Sequence, residues 1–99
     1  MSVNHNVINQ PCGIETTGFA ENSPAKNAGM TVGEIIISID YYHIDTFDSL
    51  THAMANKRSG EDISITTNIG DYKFKTIENP TNPASAFIGI KINQKYCRR

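Results

Sequence analysis

The stretch that decides the fold spans residues 21–40 and has the sequence ENSPAKNAGMTVGEIIISID. Ser23 suits a helix N-cap, because its hydroxyl can accept a hydrogen bond from a free N–H of the first turn. Pro24 suits the first helical position, where no N–H is needed, and Gly29 suits the left-handed conformation that ends a helix. The pattern therefore predicts a helix of little more than one turn. A helix this short is unstable alone, so packing has to hold it.

The same stretch ends in its most hydrophobic segment, EIIISID at residues 34–40. Three consecutive isoleucines are typical of a strand that is buried on both faces. We expect Ala25, Ala28 and Met30 to pack inward and to hold the short helix against the core. The stretch thus predicts a turn, a minimal helix, a second turn and a central strand.

Further strands are predicted on either side of this stretch, where β-branched and aromatic residues cluster or alternate with polar ones. They cover residues 13–20 (GIETTGFA), 62–69 (DISITTNI), 72–77 (YKFKTI) and 86–96 (AFIGIKINQKY). Ile63, Ile65 and Thr67 are expected to face inward. The Gly-Asp pair at residues 70–71 indicates a hairpin turn. Residues 78–85 (ENPTNPAS) contain two prolines and predict a loop.

A second helix is predicted over residues 47–56, with Thr46 or Asp48 as its cap. One face of it carries Leu50, Ala53, Met54 and Lys57 at i, i+3, i+4 and i+7 spacing. Ile44 is expected to point inward from the segment before the helix. Together the elements predict one α+β domain with a mostly antiparallel sheet and two helices.

Composition narrows the class of protein. The chain has 99 residues, enough for one core, and its net charge is −1. A nucleic-acid surface needs clustered Lys and Arg, so no nucleic-acid partner is predicted. No apolar run approaches the ~20 residues that span a bilayer, and the start does not resemble a signal peptide. We predict a flexible N-terminal segment at residues 1–12 and a single domain at residues 13–97.

No catalytic residue, metal ligand or cofactor site is predicted. The chain has no H-E-x-x-H and no C-x-x-C motif. Four residues that could suggest a catalytic triad lie close together in sequence: His43, Asp45, Asp48 and Ser49. A triad is defined by convergence of its side chains in space, and proximity in sequence does not show this. A turn that leads into a helix cap explains these four residues better.

The residues quoted above carry a resemblance to a known family. NSPAKNAGMTVGEIIISID, residues 22–40, resembles the signature of bacterial-type PDZ domains, in which SPA-x-x-AG precedes a glycine turn and a hydrophobic strand. The resemblance continues through TFDSLTHAMANKRSGEDISIT, residues 46–66, and covers roughly residues 13–92. It departs from the family at Glu34, where most relatives have Asp, and at residues 41–43, where most have a glycine turn.

The resemblance implies a circular permutation. PDZ domains bind a chain terminus with a hydrophobic-Gly-hydrophobic loop that leads at once into an edge strand. No such loop precedes Gly13, whereas AFIGI at residues 86–90 has this form and KINQ follows it. The implied fold is a mostly antiparallel, partly open β-barrel or sandwich with two helices. It is most similar to the PDZ domains of archaeal site-2 intramembrane metalloproteases.

The permuted order has a geometric consequence. The last strand, residues 91–97, should pair antiparallel with residues 13–19, so that both ends of the domain emerge together. Cys97 would then lie near Cys12. A disulfide can form if their Cα atoms come within ~7 Å, and it would fit an extracytoplasmic, oxidising setting. The alternative is two unpaired thiols near the surface.

The resemblance also implies a peptide-binding groove between the loop, the edge strand and the second helix. An extended peptide adds a strand to the edge, and the loop N–H groups converge on its terminal carboxylate. Glycine is expected in the loop because a β-carbon would obstruct the carboxylate. The implied binding residues are Phe87, Ile88, Gly89, Ile90, Lys91, Ile92, Leu50, Ala53 and Met54. The same residues would also suit a bulged core strand and the core face of a helix.

The function implied is a non-catalytic module that binds peptides or protein C-termini and regulates substrate access to a membrane-embedded zinc protease. Zinc is expected in the parent protein and not in this domain. The implied partners are an extended peptide and the transmembrane protease domain of the same chain, and the isolated domain is expected to be a soluble, extracytoplasmic monomer. One alternative is a structural size filter of the protease. Another is a PDZ domain from an HtrA-like serine protease or a secretion-system protein.

Overall fold

The computed structural model describes residues 9–98 of the chain. The elements in chain order are β1 (Asn9–Phe19), α1 (Pro24–Asn27), β2 (Ile35–Ile39), β3 (Tyr42–His43), α2 (Phe47–Ala55), β4 (Asp62–Thr67), β5 (Asp71–Lys75), β6 (Ile77–Asn79), β7 (Asn82–Phe87) and β8 (Ile90–Arg98). The main sheet has the strand order β5-β4-β2-β1-β8, with β3 on β2, and β6 and β7 form a separate pair. Every pairing is antiparallel. The mostly antiparallel α+β architecture with two helices is therefore as predicted.

Helix α1 is built as its sequence signals require. The Ser23 hydroxyl accepts a hydrogen bond from the Lys26 N–H at 3.1 Å, and Gly29 ends the turn with φ +108°. Ala25 and Met30 are buried, as expected. Ala28 is exposed, so its predicted inward packing is wrong. A four-residue helix has only one side against the core, and Ala28 lies beyond its last residue.

Strand β2 is buried on one face only, which corrects the prediction of a strand buried on both. Ile36 and Ile39 are fully buried, whereas Ile37 is 37% exposed. The pairing with β4 shifts between Ile36 and Ser38, so Ile37 is an extra residue in a bulge. A bulge resets the alternation of side chains. Two isoleucines three positions apart can consequently face the same core.

The core lies on the inner face of the main sheet, under both helices. Its fully buried large side chains are mostly isoleucines: Ile14, Ile36, Ile39, Ile44, Ile63 and Ile65. Ala25 of α1 and Ala53 of α2 pack into the same cluster. The inward positions predicted for Ile44, Ile63, Ile65 and Thr67 are confirmed by their burial.

Residues 78–85, predicted as a loop, instead form most of the β6–β7 hairpin. Ile77 pairs with Phe87 and Glu78 with Ala86. The Asn79 side chain accepts a hydrogen bond from the Thr81 N–H at 2.9 Å and so closes the turn. Proline is tolerated here because this pair of strands is separate from the main sheet. The predicted last strand is correspondingly broken between Phe87 and Ile90.

The predicted pairing of the last strand with the first is confirmed. Glu15 lies opposite Asn93, and Asn9 lies opposite Arg98, so the two ends of the described chain are neighbours. Strand β1 begins at Asn9, which places the predicted boundary at Gly13 inside a strand. The flexible segment predicted for residues 1–12 therefore does not extend over residues 9–12, and residues 1–8 lie outside the described residues.

Candidate functional site

Strand β8 forms one end of the main sheet. Its only neighbour among the described strands is β1. Along β8, Ile90 and Ile92 are half-buried, while Lys91 and Asn93 are exposed, which is the alternation of a strand with one face on the core. The outer edge of β8 therefore presents backbone N–H and C=O groups to which a further strand can bond.

Residues 88–89 lead into β8, and their carbonyl groups accept hydrogen bonds from within the domain. The Ile88 carbonyl accepts hydrogen bonds from the Ala25 N–H at 3.2 Å and from the Ser23 hydroxyl at 3.0 Å. The Gly89 carbonyl accepts one from the Ala20 N–H at 2.9 Å. Within residues 9–98, the N–H groups of Ile88 and Gly89 meet no acceptor. Two backbone donors at the start of β8, on residues that are themselves buried, are thus left without a described partner.

Gly89 is required by packing inside the domain. Its φ is +75°, and a β-carbon there would lie 2.8 Å from the Ser23 Cβ and 2.9 Å from the Ser23 Cα. The loop and the N-cap of α1 are therefore in direct contact. This clash with Ser23 is a requirement for glycine that the sequence did not indicate, and the expectation that glycine also admits a ligand stays a prediction.

Helix α2 stands beside the β6–β7 hairpin. Thr46 and Ser49 form a capping box at its start, as the sequence predicted for Thr46. An open cavity of about 340 Å³ separates the helix from the hairpin. Its lining residues are Leu50, Thr51, Met54 and Ala55 of α2 together with Asn79, Ser85 and Ala86. Two of the predicted groove residues, Leu50 and Met54, therefore do border an open space.

Two other predicted groove residues lie in the core. Ala53 is 1% exposed and Ile88 is 8% exposed, and both belong to the main hydrophobic cluster. Phe87 is half-buried at the end of β7. Ile88 can therefore offer a ligand its backbone, whereas its side chain stabilises the domain.

Gln94 connects β8 to the segment before α2, and sequence reasoning did not single it out. Its side-chain amide donates to the Asp45 carbonyl at 2.6 Å and to the Gly13 carbonyl at 3.0 Å. The amide thus fixes the start of α2 against β8 and β1. No local signal indicates these bonds, because their partners lie 49 and 81 residues away in sequence.

A disulfide joins Cys12 of β1 to Cys97 of β8, which decides between the two alternatives left open by the sequence. The Cα atoms are 5.7 Å apart. The bond ties the edge strand to its only described neighbour near the paired ends of the chain. It closes a loop of 85 residues, which in the chain-entropy model stabilises the folded state by about 4–5 kcal/mol.

Glu34, which departs from the resembled signature, is a buried structural carboxylate. It accepts hydrogen bonds from the Thr67 hydroxyl at 2.6 Å, the Thr31 N–H at 2.7 Å and the Tyr72 hydroxyl at 2.8 Å. Burial raises its pKa, but the bonds from Thr67, Tyr72 and Thr31 outweigh that effect and leave the pKa lowered. The hydrogen bond that Tyr72 donates to Glu34 raises the pKa of Tyr72. Glu34 therefore stays ionised and connects the turn after α1 to β4 and β5.

The segment after β3 runs into a helix cap, as predicted, and the capping side chains are the hydroxyls of Thr46 and Ser49. The Ser49 hydroxyl accepts hydrogen bonds from the N–H groups of Asp45 and Thr46, both at 3.0 Å, and donates to the Thr46 carbonyl at 2.8 Å. Ser49 is thus engaged with the backbone of its own helix. Among the described residues, no group of three or more His, Cys, Asp or Glu side chains is placed to hold a metal ion.

Comparison with known proteins gave no match, either to a protein-family model or to a curated protein. Across residues 9–98, no helix has the length and apolar character needed to cross a membrane. The candidate site consists of the open edge of β8, the loop before it and the cavity beside α2.

Proposed function

We propose that this domain is a circularly permuted PDZ-type module that binds an extended peptide as an added strand on β8. One observation carries the proposal: an edge strand with a single described neighbour begins directly after a loop with two unsatisfied N–H groups. Strand addition supplies main-chain hydrogen bonds, and a neighbouring pocket supplies specificity.

The peptide end that fits this loop is a C-terminal carboxylate. The Ile88 and Gly89 N–H groups are adjacent donors, and adjacent backbone donors bind anions well. The last apolar side chain of the peptide enters the cavity beside Leu50 and Met54. Lys91, exposed just beyond the loop, contributes a positive charge near the carboxylate.

Within a larger protein, the module regulates which substrates reach a membrane-embedded zinc protease. Two features support this role. The paired ends, Asn9 opposite Arg98, suit a domain inserted into a loop of a host chain. The Cys12–Cys97 disulfide suits an oxidising, extracytoplasmic compartment. An HtrA-like or secretion-system origin is a weaker proposal, because those relatives carry the loop ahead of the first strand.

A second candidate function is a size filter that binds no peptide. It is favoured by the position of the cavity, which lies between α2 and the β6–β7 hairpin and is not lined by β8. It is also favoured by the burial of Ala53 and Ile88. In this role, the folded domain excludes bulky substrates by its volume alone.

An NMR titration of the ¹⁵N-labelled domain distinguishes the two functions. The probes are acetylated pentapeptides that end in Val, Leu or Phe, each with a free or an amidated C-terminus. The PDZ function predicts shifts at residues 88–93 and 50–54, and amidation should weaken binding at least about tenfold, because it removes charge-assisted hydrogen bonds. Shifts that ignore amidation would mean strand addition without end recognition. The absence of shifts at millimolar peptide would leave the size filter.

A matched pair of variants tests the pocket. Ala55 is exposed and lines the cavity, so Ala55→Trp should fill the cavity and weaken binding. His52 is also exposed on the same helix but does not line the cavity, so His52→Trp should bind as the parent does. Equal affinity of both variants would exclude this cavity as the side-chain pocket.

A further inference from the structure

Strand β5 forms the opposite end of the main sheet from β8. Its only neighbour among the described strands is β4. On its other side stands α1, and an open cavity of about 410 Å³ lies between the two elements. The cavity is bordered by Pro24, Asn27 and Ala28 from the helix side and by Lys73, Phe74 and Lys75 from the strand side. We call this space the α1–β5 groove.

The β5 wall of the α1–β5 groove is formed by three consecutive residues. Successive side chains of a strand point to opposite faces of its sheet. Lys73, Phe74 and Lys75 are consecutive, yet all three border the cavity. The cavity therefore lies along the edge of the strand, where the main-chain groups without a described partner are found.

The charges around the groove favour an acidic occupant. Its described lining includes two lysines and no carboxylate. Lys73 makes no ion pair within residues 9–98, and Lys75 pairs with Asp62 at 3.3 Å, with both side chains largely exposed. An exposed pair of this kind contributes little and is readily replaced. Lys73 and Lys75 also lie two positions apart, so they point to the same face of the strand.

The remaining lining suits alternating apolar side chains. Phe74 is half-buried between the two lysines, and Ile77, which also borders the cavity, is 40% exposed. Pro24 and Ala28 are apolar on the opposite wall. An added strand with acidic residues on one face would place its intervening apolar residues on the other, beside Phe74.

A second copy of this chain is a poor occupant for the groove. Two β5 edges that paired in the register centred on Phe74 would place Lys73 of each copy opposite Lys75 of the other. Lysine on an edge strand disfavours pairing with a like edge. The charges thus select a partner of different composition.

We propose that the α1–β5 groove is a second strand-addition site, which takes an extended peptide segment that alternates acidic and apolar residues. It needs no chain terminus, because no loop of free N–H groups is required for internal strand addition. Three strands separate β5 from β8 in the sheet order, so both sites can be occupied at once. The site is independent of the function proposed for β8.

The test uses acetyl-EVEVE-amide, which has neither free terminus, and ¹⁵N-labelled domain at low salt. Shifts are expected at residues 71–77 and 24–28, with residues 88–93 unaffected. Lys73→Glu should weaken binding roughly 3- to 10-fold, since an attraction becomes a repulsion at an exposed site. Lys95→Glu makes the same charge change at an exposed position of β8 and should leave the affinity unchanged.

Two control peptides define the mode of binding. Acetyl-KVKVK-amide should not bind, and an EVEVE peptide that is N-methylated at alternate residues should bind at least about tenfold more weakly, because it cannot complete the strand pairing. Equal binding of either control would overturn the proposal. So would shifts centred on β8, an unchanged affinity of the Lys73→Glu variant, or peptide-free self-association through β5 in sedimentation.

Discussion

The two ends of the main sheet expose the same kind of backbone edge but are secured by different means. Strand β8 has nine residues and is fixed by a disulfide to β1 and by the Gln94 amide to the segment before α2. Strand β5 has five residues, and its Tyr72 is held by the buried Glu34. An open edge invites pairing with other chains. One edge is thus fixed in position by bonds to its surroundings, while the other is short and protected by lysines.

The difference bears on the strand addition that we propose for β8. Ordering a strand at the moment of binding costs free energy for each residue that is fixed. The disulfide and the Gln94 bonds order β8 in advance, which is what strand addition at β8 requires. At β5, the proposed selectivity for a peptide comes instead from the charges of Lys73 and Lys75. Four measurements test this contrast.

The largest effect is expected from the disulfide. Cys12→Ser combined with Cys97→Ser should destabilise the domain by about 4–5 kcal/mol, since the unfolded chain regains the entropy of a long open loop. Urea unfolding measures the loss. Hydrogen exchange should accelerate in β8 far more than in β5. An unchanged unfolding midpoint, or equal acceleration at both edges, would contradict the contrast.

The next effect concerns the anchor of β5. Glu34→Gln should cost about 1.5–3 kcal/mol, because hydrogen bonds to a charged group are lost and the new amide N–H groups face donors. Glu78→Gln is the matched control, since Glu78 is exposed on β6 and should stay within about 0.5 kcal/mol of the parent. Thermal or urea unfolding of the two variants gives the comparison. If both variants lose the same stability, Glu34 does not anchor β5.

A smaller effect is expected at Gln94. Gln94→Leu should destabilise the domain by about 1 kcal/mol, as two carbonyls lose their shared donor. Peptide affinity at β8 should also fall, because the start of α2 is freed from the edge. Lys95→Leu, an exposed neighbour on the same strand, should change neither quantity. Loss of stability with unchanged peptide affinity would mean that the spacing of α2 and β8 does not matter for binding.

The smallest effect is a pH dependence at the β5 anchor. The pKa of Glu34 is lowered in the folded state, so its contribution is present above the ordinary value of 4.5 and is lost as the pH falls through the lowered value. The pKa of Tyr72 is raised, so its contribution is present below the ordinary value of 10.0 and is lost as the pH rises through the raised value. The difference in unfolding midpoint between the parent and the Glu34→Gln variant should be smallest at the lowest and at the highest pH. A constant difference at all pH values would argue against the Glu34–Tyr72 bond.

Local signals explain what could be predicted from the residues alone. Ser23, Pro24 and Gly29 specify α1 within a few positions of one another, and alternation places Ile63 and Ile65 in the core. The antiparallel pairing of β1 with β8, and with it the approach of Cys12 to Cys97, followed from the implied permutation. The predictions that were wrong share a different cause, because they depend on how strands pair with one another. The bulge at Ile37 depends on the register with β4, and the β6–β7 hairpin forms despite two prolines because it is separate from the main sheet.

The candidate site also combines features that the sequence predicted with features that it did not. The resemblance implied an edge strand and a hydrophobic-Gly-hydrophobic loop within residues 86–93, and in the structure residues 88–89 separate β7 from β8. It did not indicate that Ala53 and Ile88 are core residues, nor that the cavity beside α2 faces the hairpin. The α1–β5 groove was not predicted either, because its two walls come from residues about 50 positions apart in sequence.

The sequence by itself determined the capped one-turn helix, the alternating strands and the glycine loop, because each depends on the preferences of residues a few positions apart. The tertiary structure alone decided which edges stay open, which side chains line a cavity and which carboxylate is held ionised. Those properties depend on contacts such as Gln94 with Asp45 and Glu34 with Tyr72, which join residues far apart in the chain. Burial and hydrogen bonding are set only when such segments meet, and both proposed binding surfaces are made from them.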